Sequence, residues 1–96
     1  MEALPIQTLR DAMSEYVARV ESGHVFVVVR HSEPLAVMRP VGRDEAADEL
    51  AVSRFRTDLC RWLEQANRQP LGLTWRGRRV AVVERVPASI RRGNAS

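Results

Sequence analysis

Apolar side chains recur along this chain in two matching runs, residues 4–41 and residues 50–86. In the first run, Leu9, Ala12, Met13, Tyr16, Val17 and Val20 return at three- and four-residue spacing, which makes one stripe on a helix. Asp11, Ser14, Glu15 and Arg19 take the opposite face. Gln7 or Thr8 is the expected helix start, and Gly23 is a natural stop just past the end. The stretch His24–Arg30 is rich in valine, whose branched Cβ suits a pleated strand. His31–Pro34 is polar and turn-like, and Leu35–Val41 returns as a further strand. A short strand around Leu4 precedes the helix.

The second run repeats this order with other residues. Ser53 is a candidate N-cap. Phe55, Leu59, Trp62, Leu63 and Ala66 form the stripe, and Pro70 forbids continuation of the helix. Leu71–Trp75 and Val80–Val86 flank a tight turn over Arg76–Arg79, where Gly77 can take positive φ. At an offset of 46, Leu4 falls on Leu50, Leu9 on Phe55, Arg10 on Arg56, Met13 on Leu59, Val29 on Trp75 and Arg30 on Arg76. The alignment then drops one residue in the hairpin turn, so that Leu35 falls on Val80 at an offset of 45. On this reading Trp62 and Trp75 are core residues.

The pattern predicts an α/β (α+β) chain of two tandem strand–helix–hairpin modules, residues 1–41 and 50–86. Residues 42–49 are an acidic linker, helical or solvated, and residues 87–96 are a polar, basic tail. Units below about 60 residues bury too little apolar surface to be stable alone, so each module is expected to need the other or a partner.

Charge adds a direction. The net charge is +3, and all 15 basic residues are arginine. Residues 1–49 hold five Arg against nine Asp and Glu, a balance of −4, whereas residues 50–96 hold ten against three, a balance of +7. A segregated excess of this kind points to a polyanionic partner for the second half. The turn Arg76, Arg78, Arg79 is dense enough in charge to meet phosphates, and Arg91 and Arg92 would add non-specific attraction.

Other chemistry is sparse. His24 and His31 stand apart, with no Cys, Asp or Glu at ligand spacing, so no metal is expected. The single Cys60 has no disulfide partner and reads as a partly buried bystander on the helix. Ser14, Glu15 and His24 make no credible triad, no glycine-rich phosphate loop occurs, and neither an enzyme nor a cofactor is expected. No apolar run approaches the roughly 20 residues of a membrane span, and the first residues do not read as a signal peptide. The expected location is the cytoplasm.

Residues 4–23, with Arg10 early in the helix and Val-Glu-Ser-Gly at its close, resemble the opening of Phd/YefM antitoxins. Residues 25–40, a valine strand ending in Arg30, a turn, and Pro-Leu-Ala-Val-Met, resemble the hairpin of that family. Residues 50–86 match more loosely. The resemblance implies a dimeric module that binds its own operator DNA as an autorepressor, and a second segment that wraps a toxin protein. It implies DNA contacts at Arg10 and Arg30, and at Arg56 and Arg76 in the second copy. An arginine at a helix start can cooperate with free backbone N–H groups on a phosphate, and its planar fork can read guanine. The chain departs from the family where an acidic toxin-binding arm would follow, since a second, basic module stands there. Two copies in one chain would form the family's dimer internally, as a pseudo-dimer sharing one sheet, with a homodimer as the other arrangement. The alternative function is a toxin-binding or assembly module without DNA binding.

Overall fold

A computed structural model describes residues 1–42 and 47–89. The chain runs β1 (Glu2–Pro5), α1 (Ile6–Asp11), α2 (Met13–Glu21), β2 (Phe26–Arg30) and β3 (Glu33–Arg39). It repeats this order as β4 (Asp48–Ala51), α3 (Val52–Thr57), α4 (Leu59–Ala66), β5 (Leu71–Trp75) and β6 (Arg78–Glu84). Residues 43–46 of the expected linker, and Arg91 and Arg92 of the expected basic tail, lie outside the described residues. β4 begins at Asp48, inside the stretch read as linker.

All six strands form one sheet in the order β1-β2-β3-β6-β5-β4. Read from either edge, the strands therefore come in the same order. β1 is parallel to β2 and β4 to β5, the hairpins β2–β3 and β5–β6 are antiparallel, and β3 meets β6 antiparallel at the centre. The central ladder is centred on the pair Met38 and Val83.

The helices cover one face of this sheet. Leu4, Phe26, Val28, Ala36 and Met38 from the first half join Leu50, Leu71, Leu73, Ala81 and Val83 from the second, and the helix stripes close over them in a single buried cluster. Alternate strand residues Val27, Val37 and Val82 face the other side. Both long helices lie over the central strands, α2 packing chiefly on β6 of the other half and α4 on both β3 and β6. Fully buried Leu9, Phe55, Leu59 and Leu63 each remove roughly 1.5–3 kcal/mol of apolar surface from water.

Each predicted helix is in fact two. β1 passes directly into α1 at Ile6, with Pro5 as its cap at φ −60°. The start therefore precedes Gln7 and Thr8, and Ala51 takes the same backbone (φ −64°) before α3. Ser53 likewise lies inside α3, which is capped by Ala51. Ala12 (φ −132°, ψ 42°) and Asp58 (φ −145°, ψ 56°) then interrupt the helices at equivalent places.

The repeat holds, but its register needs one correction. Val28 opposite Ala36 corresponds to Leu73 opposite Ala81, and the ladder slips at the next residue in both hairpins. The offset is thus 46 through the helices and already 45 in β5, so the dropped residue lies between helix and strand. The turns agree with this: His31 and Ser32 (φ 51° and 67°) correspond to Arg76 and Gly77 (φ 53° and 82°). Arg30 is therefore the equivalent of Trp75, not of Arg76, and His31 is the equivalent of Arg76.

Candidate nucleic-acid interface

Arg10 and Arg56 lie in the last turns of α1 and α3, not at helix starts. The expectation that free N–H groups of those helices would share a phosphate with them is therefore withdrawn. A cation in a last turn instead complements the helix dipole. The two short helices bring these equivalent residues together: Arg56 Nε donates to the carbonyl oxygen of Arg10 at 3.1 Å. That contact satisfies one of the unpaired carbonyls at the end of α1 and uses one of the five guanidinium donors. The Arg10 side chain is exposed and makes no hydrogen bond or ion pair with the described residues.

The strand ends flank this junction. On one side, Arg30 closes β2 and its Nη1 lies 3.6 Å from Cys60 Sγ, in the first turn of α4. Cys60 is exposed, not partly buried as the stripe suggested, because it lies on the face of α4 turned toward Arg30. On the other side, Trp75 closes β5 and shares a groove with Ser14, Ser53 and Arg56. Trp75 is 42% exposed, which corrects its assignment to the core. The corrected register explains this, since its equivalent is the exposed strand end Arg30 and not Val29. Arg76 follows, its guanidinium 5.7 Å from the Trp75 ring centre.

The remaining two candidates lie elsewhere. Arg78 pairs with Glu21 of α2 at 3.0 Å. Arg79 crosses the sheet face away from the helices, 3.3 Å from Glu49 and 3.1 Å from the carbonyl of Ala47. It passes over Gly72, where an added Cβ would stand 3.3 Å from Arg79 Nε. The candidates thus divide by their partners. Arg10, Arg30, Arg56 and Arg76 have no carboxylate partner among the described residues, while Arg78 and Arg79 do. Arg78 and Arg79 are held by carboxylates, whereas Arg10 and Arg56 meet at the α1–α3 junction and Arg30 and Arg76 stand at the ends of strands that run in opposite directions.

Other aromatic and titratable groups have local roles. Trp62 packs half-buried against the core, with Arg54 and Arg61 over its ring at 5.9 and 5.1 Å. His24 stacks on Phe26 and bonds through Nδ1 to the Arg19 carbonyl at 3.0 Å. His31 sits in the first hairpin turn. Among the described residues no helix is long and apolar enough to cross a membrane, and no three His, Cys, Asp or Glu side chains are grouped to hold a metal ion. Comparison of the chain with protein-family models, with curated proteins and with solved structures gives no match.

Proposed function

We propose that this chain is a DNA-binding transcriptional autorepressor of antitoxin type, acting in the cytoplasm without catalysis. Its two halves serve as the two members of a pseudo-dimer. The observation that carries the reading is a set of four arginines without carboxylate partners among the described residues: Arg10 and Arg56 meeting at the α1–α3 junction, Arg76 near Trp75 beside the groove that also holds Arg56, and Arg30 against Cys60 at the start of α4. Guanidinium groups without carboxylate partners are what a phosphate backbone requires, and their planar forks can also take a guanine edge. The resemblance of residues 4–41 to Phd/YefM antitoxins supplies the more specific part, an operator as the DNA and a toxin protein as a second partner.

Titration of the full chain into a labelled duplex carrying the region upstream of its own gene tests this. Log affinity should fall by about 0.9 for each phosphate contact per log unit of salt. Arg10→Ala with Arg56→Ala should remove about two contacts' worth of that slope and weaken binding at least tenfold, with the far-ultraviolet circular dichroism unchanged. Arg78→Ala, whose guanidinium is engaged by Glu21, should bind like the unaltered chain. Equal affinity for the double variant and the unaltered chain would overturn the proposal.

A further inference from the structure

The two flanks of the proposed DNA surface occupy equivalent places yet carry unlike side chains. Arg30 and Trp75 both close the middle strand of their half of the sheet, paired respectively with Glu33 and Arg78. Cys60 beside Arg30 has Ser14 as its equivalent, and Ser14 lines the groove that holds Trp75. His31 and Arg76 form the next matched pair, at φ 51° and 53°. Only the junction itself is conserved in kind, with Arg10 matched by Arg56. A guanidinium fork can donate to the two acceptor atoms of a guanine edge. An exposed indole backed by a cation offers apolar contact, such as a thymine methyl group takes.

The centre of the sheet fixes which halves meet. Arg39 and Glu84 are also equivalent residues, each one position beyond the central pair Met38 and Val83. They bridge β3 and β6 with two bonds, Arg39 Nε to Glu84 Oε2 at 2.8 Å and Arg39 Nη2 to Glu84 Oε1 at 3.0 Å. A β3–β3 pairing between two copies would set Arg39 beside Arg39, and a β6–β6 pairing would set Glu84 beside Glu84. Like charges at such positions repel. Every DNA surface built this way therefore contains one flank of each kind.

Protein two-fold symmetry is mirrored in a palindromic operator. Here the shape is two-fold but the reading residues are not. We propose that this chain recognises a non-palindromic duplex with two unlike half-sites, one read by the Arg30 flank and the other by the Trp75–Arg76 flank. This rests on the DNA-binding reading above.

The test is selection by the full chain from a random-core duplex library. It is followed by affinity measurements on the selected site and on the two palindromes made by doubling each half. The expected motif lacks two-fold symmetry, and each palindrome binds about tenfold or more weakly, because one flank then faces the wrong bases. Selection should be repeated with Arg30→Ala and with Trp75→Ala plus Arg76→Ala. These should relax the motif at opposite ends. A palindromic motif, or both substitutions relaxing the same end, would overturn this proposal while leaving DNA binding intact. A library that enriches no sequence would overturn sequence-specific DNA binding itself, and this proposal with it.

Discussion

The two halves of the sheet solve one packing problem in two ways. On the face away from the helices, the first half presents Ala3, Val27 and Pro34. At the equivalent places the second half presents Glu49, Gly72 and Arg79. One set is apolar and short. The other is an ion pair laid across a glycine, where a side chain as large as valine would meet the Arg79 guanidinium. The helix-side core shows no such divergence: Leu9 and Phe55, Met13 and Leu59, Val17 and Leu63 are all buried apolar pairs. The core thus tolerates change of shape only within apolar chemistry, because buried polar groups need partners. The open face and the strand ends are free to exchange apolar contact for charge.

The central strands give the sharpest test of this difference. Arg39 and Glu84 are equivalent in position and opposite in sign, and their side chains are 27% and 30% exposed. Arg39→Glu should place two carboxylates beside each other and cost about 2 kcal/mol, since a largely buried charge loses its partner. Adding Glu84→Arg should restore most of that loss. Urea denaturation of the two variants checks both outcomes. No recovery in the reversed pair would show that the contact does not set the pairing of β3 with β6.

The hairpin turns provide a smaller contrast. Both need two successive residues at positive φ, but Ser32 stands where the second half has Gly77. Left-handed backbone costs a residue with a Cβ roughly 1–2 kcal/mol, while glycine pays instead in unfolded-state entropy. Ser32→Gly should therefore stabilise the chain by about 0.5 kcal/mol, and Gly77→Ser should destabilise it by about 1 kcal/mol. An added Cβ at Gly77 meets no atom within 4 Å, so the second change reports backbone strain alone. Thermal unfolding midpoints that move in the same direction for both variants would contradict this.

Much of this architecture is legible in the chain. The helical stripe from Leu9 to Val20 and its partner from Phe55 to Ala66 name the core residues apart from Ala12, which sits at the helix break, and the valine-rich runs name the hairpins. What the pattern could not place was the missing residue between copies. Val25–Val29 is an unbroken apolar run whose alternate members are buried on both faces of the sheet, so no period-two signal fixes its register. That ambiguity hid the equivalence of Arg30 with Trp75, and with it the exposure of Trp75. The helix breaks at Ala12 and Asp58 were equally silent, because Leu9 and Met13 keep an unbroken four-residue spacing across a change of helix axis. As for the site, charge density singled out Arg76–Arg79 as a group. Only the partner carboxylates Glu21 and Glu49, distant in sequence, separate Arg78 and Arg79 from the rest.

In the proposed function one chain supplies both halves of a DNA-binding unit. The most direct measurement is the mass, by light scattering, of the complex between the full chain and a short duplex carrying one selected site. One chain per duplex, in a complex that Arg10→Ala with Arg56→Ala dissolves, is the expected result. Two chains per duplex, each contributing a single half, would contradict it.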